Sequence, residues 1–234
     1  MNPIKIIIHG TGTMSSILKS VAEAEEDLEI TGFADELTNE KGDIIIDFSY
    51  FSRIPNMLKF AVDNNIPIVI CTTGYDDKIL SQIKEASTKI PILLSSNTSI
   101  GINLMNDLVK KMSAVLNNFD IEILETHHNK KADSPSGTAK TLFNIINETF
   151  ENKMSLINGR EGNHKRDKKE IGMHSIRGGS VVGEHRGIFY GDDEAIEIKH
   201  TAMSKKIFVH GAIRAAKFLI GKKPSLYGMK DVLS

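Results

Sequence analysis

The chain has 234 residues, 40% of them hydrophobic and 25% charged, proportions that are typical of a globular protein and exclude a disordered or collagen-like chain. Its 29 basic and 30 acidic residues give a formal net charge of −1, so no global field concentrates nucleic acid or an anionic membrane around it. Because the lone Cys71 excludes an internal disulfide and no apolar run reaches the ~18 residues of a membrane span, we expect a cytoplasmic protein.

The first half of the sequence alternates predicted strands with predicted helices. Continuous Ile and Val runs, typical of strands buried on both faces, predict strands at residues 4–8, 29–34, 43–48, 66–71 and 90–94. Apolar residues at helical spacing predict helices at residues 14–21, 52–64 and 76–88. The alternation predicts an α/β, Rossmann-like, doubly wound parallel sheet, in which residues 35–42 are too few for a helical crossover.

Beyond residue 98 the pattern changes, and a second domain is predicted over residues 99–206. Helices are expected at residues 101–117, 138–150 and 204–220, and strands at residues 120–126, 171–177, 181–190 and 194–201. Several strands in succession predict an antiparallel or mixed sheet and therefore an α+β domain. The polar residues 151–170 predict a long mobile loop or flap, and Asp167 within their basic run favours a solvated segment over a nucleic-acid site.

A glycine-rich turn separates the first predicted strand from the first helix. Its residues are Gly10, Thr11, Gly12, Thr13 and Met14. Glycines allow a tight turn and let the backbone approach a pyrophosphate, which then lies at the helix N-terminus. Asp35 follows the second strand, where an acid that binds the adenosine ribose is expected, so the pattern predicts dinucleotide binding. The alternative is a surface turn followed by an ordinary exposed carboxylate.

Two further loops follow predicted strands at the sheet edge where such folds bind ligands. They are Cys71-Thr72-Thr73-Gly74 and Ser95-Ser96-Asn97-Thr98. Hydroxyl and backbone groups in these loops are expected to line a nicotinamide-ribose site, although each loop taken singly is typical of a simple turn. Cys71 is interpreted as a small buried hydrophobic residue and not as a nucleophile.

The most informative segment runs from residue 125 to residue 139. Its candidate residues are His127, His128, Lys131, Ser136, Gly137 and Thr138. A predicted strand delivers both histidines into a loop that also carries the lysine. Histidine acts as an acid or a base near neutral pH, and lysine pairs with carboxylates or donates a proton. The Ser-Gly-Thr triplet then begins a helix, whose N-terminal N–H groups suit a substrate carboxylate.

A metal site is the alternative interpretation of the two histidines. Neighbouring residues of a strand point to opposite faces, which disfavours a shared ion, and no Cys or His cluster has zinc spacing. No metal is therefore predicted. Residues 175–179 and 182–185 are interpreted as a structural hairpin, and His185 is interpreted, like most of the scattered histidines, as structural or exposed.

Together these motifs resemble the dihydrodipicolinate reductase family, the 4-hydroxy-tetrahydrodipicolinate reductases of the diaminopimelate and lysine pathway. The resemblance covers nearly the whole chain and is most specific in the His-His-x-x-Lys…Pro-Ser-Gly-Thr segment that ends at Thr138. The other matching motifs are the Gly10–Met14 turn, Asp47-Phe48-Ser49, Thr72-Thr73-Gly74, and residues 97–101, 175–179, 182–185 and 211–212.

The resemblance implies a homotetrameric, two-domain oxidoreductase that uses NADH or NADPH to reduce a small dicarboxylate. The first domain, residues 1–98, is then completed by the C-terminal segment 207–234, and the second supplies substrate binding and tetramer contacts. By matching motif positions, His127 is implied to be the catalytic acid/base and Lys131 the proton donor. His128 and the residues 136–138 are implied to bind the substrate, and the glycine-rich turn, Asp35 and the residues 71–74 and 95–98 are implied to bind the cofactor.

Two features depart from the family pattern. The glycine-rich turn is one residue shorter than in many members and lacks their Gly-Arg-Met-Gly ending, and no arginine adjoins Asp35. Glu36 follows Asp35, and the nearest basic residue in sequence is Lys41. An acid at this place accepts hydrogen bonds from ribose hydroxyls and repels a 2′-phosphate, so the sequence predicts that NADH is used at least as well as NADPH.

Two alternative functions stay open at this point. One is a catalytically silent NAD(H)-binding protein on the same fold, which the intact His127 and Lys131 disfavour. The other is a related Rossmann enzyme that acts on aspartate semialdehyde or homoserine. Such an enzyme requires its own nucleophile or lysine pair, and the lone Cys71 lies on the predicted cofactor side.

Overall fold

The computed structural model describes residues 2–234, which form two units, one of the residues up to Ile100 together with Lys205–Ser234 and one of Gly101–Ser204. The strands are β1 (Ile4–His9), β2 (Leu28–Ala34), β3 (Ile44–Asp47), β4 (Ile68–Ile70), β5 (Pro91–Leu94), β6 (Asp120–His127), β7 (Ser155–Asn158), β8 (Glu170–Arg177), β9 (Gly183–Tyr190), β10 (Ala195–Ala202) and β11 (Ser225–Tyr227). The helices are α1 (Thr13–Ala22), α2 (Ile54–Asn64), α3 (Asp77–Ser87), α4 (Ile100–Val115), α5 (Gly137–Thr149), α6 (Lys206–Leu219) and α7 (Met229–Leu233). Within residues 2–234, every helix is too short or too polar to cross a membrane.

The six strands of the first unit form one parallel sheet in the order β11-β5-β4-β3-β1-β2. Alternate residues of the isoleucine runs are buried on opposite faces of this sheet. Ile6 and Ile8 pack with α1 and α6, whereas Ile7 packs with α2 and α3. Burial on both faces explains why the strands are continuous apolar runs, and the predicted doubly wound fold is confirmed.

The last strand and the last helix are not visible in the sequence pattern. β11 extends the sheet at the edge by pairing with β5, with Leu226 opposite Ile92. Its three residues are too few to show a strand period, and the helix after it has five residues. The short connection from β2 to β3 contains no helix and passes β1, where the Asp43 N–H donates to the Lys5 carbonyl at 2.7 Å.

The five strands of the second unit form the mixed sheet that the sequence predicts, in the order β10-β9-β6-β8-β7. β6 is central and pairs in parallel with β8 and antiparallel with β9. One face of this sheet packs against α4 and α5, through Ile121, Ile123 and Phe189 from the strands and Val109 and Leu142 from the helices. Alternation therefore decides which β6 side chains are buried, and Glu125 and His127 lie on the same face as the two isoleucines.

The prediction of a long loop over residues 151–170 is wrong at residues 155–158, which form β7. The strand pairs in parallel with β8 and places Ile157 opposite Gly172. The first and last of its four residues are exposed, and four residues are too few to show the alternation of a strand. The polar composition of the surrounding segment therefore indicates a loop. Arg166 holds the remainder of the segment against the sheet by donating to Asp120 Oδ1 at 2.8 Å and to the Glu170 carbonyl.

The hairpin predicted from residues 175–185 is also wrong. β8 and β9 are consecutive in sequence, but β6 lies between them, so they do not pair with each other. The connection passes the end of β6, where the Gly178 N–H donates to the His127 carbonyl at 2.9 Å and the Asn129 N–H donates to the Gly179 carbonyl at 3.2 Å. The segment that the sequence predicts as a structural hairpin therefore lies beside the candidate catalytic loop.

Candidate active site

Glu125 is the centre of a polar cluster at the end of β6. Its side chain is fully buried, and Arg177 donates to it twice, from Nη1 to Oε2 at 2.9 Å and from Nη2 to Oε1 at 2.7 Å. The Ser136 N–H donates to Oε1 at 3.2 Å, and His127 Nδ1 lies 2.5 Å from Oε2. Four polar groups from three segments of the chain therefore converge on one carboxylate.

The charges around Glu125 set its ionisation. Burial raises the pKa of this carboxyl, but hydrogen bonds from Arg177, Ser175 and His127 outweigh burial and hold the pKa at about 2. A carboxylate that is buried, ionised and fully paired is costly to assemble and rigid once assembled. Glu125 is thus an anion at every physiological pH.

His127 is held mainly as an uncharged ring. Its side chain is 9% exposed, and burial lowers its pKa, an effect that Glu125 opposes and that the charges of Lys131 and Arg177 reinforce. Gly183 faces the second ring nitrogen, since a Cβ there would lie 3.1 Å from His127 Nε2. The ring is therefore held by Glu125 through Nδ1, and Gly183, which has no side chain, leaves space beside Nε2.

His185 extends the cluster and was missed in the sequence analysis. Its Nε2 lies 3.0 Å from Ser136 Oγ, and its ring meets that of His127 edge-on with the centroids 5.1 Å apart. Burial and the neighbouring His127 lower the pKa of His185 to about 4, so this ring is neutral. Ser136 also accepts from the Ala139 N–H at 3.2 Å and so caps α5. The interpretation of His185 as structural or exposed was too simple, because it is a buried part of the site.

Lys131 and His128 lie on the loop between β6 and α5. Lys131 Nζ donates to Asp133 Oδ1 at 2.7 Å, and the lysine N–H donates to the His128 carbonyl at 3.1 Å. His128 Nδ1 is buried without a hydrogen-bond partner among the described residues, which leaves a polar atom for a ligand to satisfy. At Gly137 an added Cβ would meet nothing within 4 Å, so open space adjoins the first turn of α5. Thr138 is the second residue of that turn.

The glycine-rich turn in the first unit has the geometry that a dinucleotide requires. Gly10 has a φ of +102°, and a Cβ there would lie 2.8 Å from the Phe48 carbonyl oxygen, so only glycine fits. Gly12 is the extended N-cap of α1, and the first turn from Thr13 and Met14 has no side-chain cap and no acidic residue. Such an uncapped helix start suits a pyrophosphate.

Asp35 adjoins this turn and has a partner that its sequence neighbourhood does not reveal. Thr11 Oγ1 donates to Asp35 Oδ2 at 2.8 Å, and the Arg53 guanidinium forms an ion pair with the other carboxylate oxygen. The hydrogen bond from Thr11 lowers the pKa of Asp35, and Arg53 lowers it further. Arg53, which precedes α2, and not Lys41, is thus the paired cation, and only the fold brings it there.

A cavity of about 410 Å³ lies beside the turn. Its lining includes Met14, Cys71, Thr72, Thr73 and Gly74, together with residues 48–51. Burial raises the pKa of the Cys71 thiol well above its usual range, and Asp47 raises it further, so this thiol is not a nucleophile. The structure places all four residues of this predicted loop where a ligand can reach them.

The last predicted loop is divided between solvent and core. Ser96 is exposed, whereas Ser95 Oγ donates to the Asn97 carbonyl at 2.8 Å. Thr98 is buried, and its hydroxyl donates to the Phe208 carbonyl of α6 at 2.6 Å. The Thr98 hydroxyl therefore holds α6 and is not directed to a ligand. Among residues 2–234, the His, Cys, Asp and Glu side chains form no group of three suited to a metal ion.

Comparison with known proteins covers both units. The model of the dihydrodipicolinate reductase C-terminus matches residues 101–233, and that of the N-terminus matches residues 30–98. A 4-hydroxy-tetrahydrodipicolinate reductase from Brachyspira hyodysenteriae is 68% identical over 99% of this chain and 100% of that protein. One from Caldanaerobacter subterraneus is 43% identical over 98% of both chains. A dipicolinate-bound dihydrodipicolinate reductase from Paenisporosarcina has the same fold, with a TM-score of 0.81 at 21% identity over 98% of this chain and 99% of that one.

Proposed function

The chain belongs to the dihydrodipicolinate reductase family, and we propose from its site how it reduces 4-hydroxy-tetrahydrodipicolinate to tetrahydrodipicolinate with a nicotinamide cofactor. In each turnover the substrate loses its 4-hydroxyl group as water, and the resulting conjugated ring, which carries two carboxylates, takes up one hydride and one proton. The protein must therefore bind two negative charges, supply a proton and present the hydride donor. The reaction serves the diaminopimelate and lysine pathway.

The observation that carries this proposal is the cluster at the start of α5. His128, Ser136, Gly137 and Thr138 bind the substrate carboxylates, because the helix start attracts anions and an unpaired His128 nitrogen is available. Lys131 donates the proton, and its Nζ pairs with Asp133 in the absence of substrate. Lys131 then regains a proton from solvent.

His127 is the acid/base partner of Lys131 in this proposal. The charge of Lys131 acts on the His127 ring, which supports their proximity. A neutral ring takes up a proton from water at its lone-pair nitrogen and gives it up again, which is how an acid/base residue relays a proton. A catalytically silent protein on the same fold does not need an acid/base pair, so the presence of both His127 and Lys131 supports an enzyme.

The nicotinamide cofactor supplies the hydride when bound. The turn from Gly10 to Met14 would hold its pyrophosphate, and the loops 71–74 and 95–98 would line the nicotinamide ribose, with the Thr98 hydroxyl bonded to α6. Asp35 accepts hydrogen bonds from the adenosine ribose, which supports use of NADH at least as well as NADPH. Arg53 gives a 2′-phosphate a cationic partner, so both cofactors bind.

We propose that the chain forms a homotetramer through the sheet of the second unit. One face of this sheet is covered by α4 and α5, whereas Ile176 and Tyr190 on the opposite face are 47% and 46% exposed. Sedimentation at micromolar concentration, near neutral pH and at physiological salt, should give a tetramer. A fully active monomer would remove this assignment.

The test of the reaction is a steady-state assay that follows the loss of NADH absorbance with freshly made substrate. Turnover that depends on the dicarboxylate supports the proposal. Cofactor binding with no turnover would identify the silent NAD(H)-binding protein instead. Turnover with aspartate semialdehyde or homoserine, and none with the dicarboxylate, would assign the chain to another Rossmann enzyme.

A further inference from the structure

We propose that Glu125, held by Arg177, is a positioning residue that fixes His127 in one tautomer, with the proton on Nδ1 and a lone pair on Nε2. The inference rests on the proposed function and deepens it, because it assigns His127 the part of an acceptor and leaves Lys131 as the proton donor. Neither Glu125 nor Arg177 touches the substrate in this account. Both act through the ring of His127.

The first step is that Glu125 is ionised and that both of its oxygens accept hydrogen bonds. Oε1 accepts from Arg177 Nη2 and the Ser136 N–H, and Oε2 accepts from Arg177 Nη1. The remaining partner of Oε2 is His127 Nδ1, at 2.5 Å. Since a carboxylate only accepts, this ring nitrogen must donate.

The second step is that a neutral ring with its proton on Nδ1 presents a lone pair at Nε2. A second proton is disfavoured by the charges that face this ring, namely Lys131 and Arg177, and by burial, while Glu125 alone acts in the opposite direction. His185 packs edge-on against the ring and is itself neutral. The residue at position 183 is glycine, which leaves space around Nε2.

The third step is that Arg177 joins both reacting groups. Its guanidinium donates to Glu125 with two N–H groups and to the Asp133 carbonyl at 2.7 Å. Asp133 in turn accepts from Lys131 Nζ. One planar fork therefore sets the orientation of His127 and the position of the lysine loop, a geometry that a lysine at position 177 does not reproduce.

The alternative is that Glu125 and Arg177 form an ion pair that only holds the fold together. The chain offers a matched control for this alternative on the same strand. Glu122 lies on the opposite face of β6, contacts His174 at 2.8 Å and pairs with Arg166. It is thus a second carboxylate that joins a histidine and an arginine, but outside the cluster around His127.

The experiment compares Glu125→Gln with Glu122→Gln in the full chain. A glutamine at position 125 keeps the shape but turns one acceptor into an NH₂ donor, which forces the proton of His127 to Nε2. We expect kcat to fall about 10²-fold or more in Glu125→Gln, the range for loss of acid–base catalysis, with the Kd for NADH within twofold of wild type. Glu122→Gln should keep kcat within threefold, with its sedimentation checked against wild type.

The second readout is the ¹⁵N spectrum of the histidine rings, assigned with His127→Ala. Wild type should show a protonated Nδ1 and an unprotonated Nε2 at His127, and Glu125→Gln should show the reverse. A wild-type ring protonated at Nε2 would overturn the proposal, as would a fall in kcat in Glu125→Gln without a change of tautomer. If wild type shows no turnover, the proposed function fails, and the wild-type spectrum still decides the tautomer.

Arg177→Lys covers the case in which Glu125→Gln does not fold. It keeps the positive charge but loses the two-pronged contact. We expect a fall in kcat of about tenfold or more with an unchanged Kd for NADH, since one ammonium group does not replace the two parallel N–H groups of the guanidinium. Activity within threefold of wild type would show that the fork does not position His127.

Discussion

Two buried histidines hold equivalent places in the two units, and they differ at their second ring nitrogen. His9 is the last residue of β1 and His127 is the last residue of β6, with exposed fractions of 1% and 9%. In each ring, Nδ1 faces a carboxylate, that of Asp47 at 2.8 Å and that of Glu125 at 2.5 Å. The two pairs look alike at this nitrogen.

The two histidines differ at the other ring nitrogen, Nε2. Nε2 of His9 lies 3.1 Å from the Asp35 carbonyl, so both of its nitrogens face acceptors of the protein itself. Nε2 of His127 faces the space that Gly183 leaves. A histidine that is bonded on both sides joins strands, whereas a histidine that is bonded on one side has a nitrogen for a ligand. In the proposed function, this contrast separates a framework histidine, His9, from the candidate acid/base residue, His127.

The largest expected effect is on catalysis at the second histidine. His127→Ala and Lys131→Ala should each lower kcat by about 10²–10⁴-fold, because proton transfer contributes that much. His128→Ala should act mainly on KM, because its role is to bind a carboxylate. Steady-state kinetics with saturating NADH measures all three. If both His127→Ala and Lys131→Ala keep kcat within threefold of wild type, the assignment of the two residues is wrong.

The matched change at the first histidine should act on stability. His9→Asn breaks a buried contact to Asp47, and we expect the free energy of unfolding to fall by about 2 kcal/mol or more. At saturating NADH, kcat of the folded variant should stay within threefold of wild type. Denaturant titration and kinetics measure the two quantities. An unchanged stability with a large loss of kcat would contradict the framework role.

The free energy of unfolding should decrease in acid, because His185 is held neutral in the folded chain. Its pKa of about 4 lies below the value near 6.5 of an unfolded histidine, so the unfolded chain takes up the proton first. Stability should therefore fall as the pH drops from about 6.5 to 4, by up to about 3 kcal/mol from this residue. Glu125, with a pKa of about 2, adds a second loss only below about pH 4.5.

Unfolding of wild type and His185→Asn at pH 7, 5 and 4 checks the first of these two losses. The variant should show a shallower decline between pH 7 and 4 than wild type does. A wild-type stability that is flat over this interval would mean that His185 is not held neutral by its burial.

The smallest effects should come from the exposed cofactor residues. Asp35→Ala should weaken NADH binding by about tenfold or more, because it removes hydrogen bonds to a charged group. Arg53→Ala should weaken NADPH binding more than NADH binding. Calorimetry at one ionic strength gives both Kd values. A wild-type preference for NADPH above tenfold that survives Asp35→Ala would overturn the role given to this acid.

The two units also differ in how far the sequence predicts them. The doubly wound sheet is visible because continuous isoleucine runs and short helices are local patterns. The segment from His127 to Thr138 is visible because its residue types lie close together in sequence. β7 was missed because four residues in a polar stretch carry no period, and the predicted hairpin was wrong because β6 is inserted between β8 and β9.

The partners of the site residues were not predictable for another reason. Glu125 and Arg177 are 52 positions apart, and Ser136 and His185 are 49 positions apart. Neither spacing follows a helix or strand period, so only the sheet order brings these residues together. Sequence patterns thus indicate candidate residues for the reaction, and the fold shows which other residues contact them.

The most direct test of this account is one rate measurement on three proteins. NADH oxidation with freshly made dicarboxylate substrate would be followed for wild type, His9→Asn and His127→Asn, each at saturating cofactor and equal folded concentration. We expect wild type and His9→Asn to turn over at rates within threefold of each other, and His127→Asn to retain about 1% or less. Equal rates for the two variants would contradict the account, and so would a wild type that binds NADH and does not oxidise it.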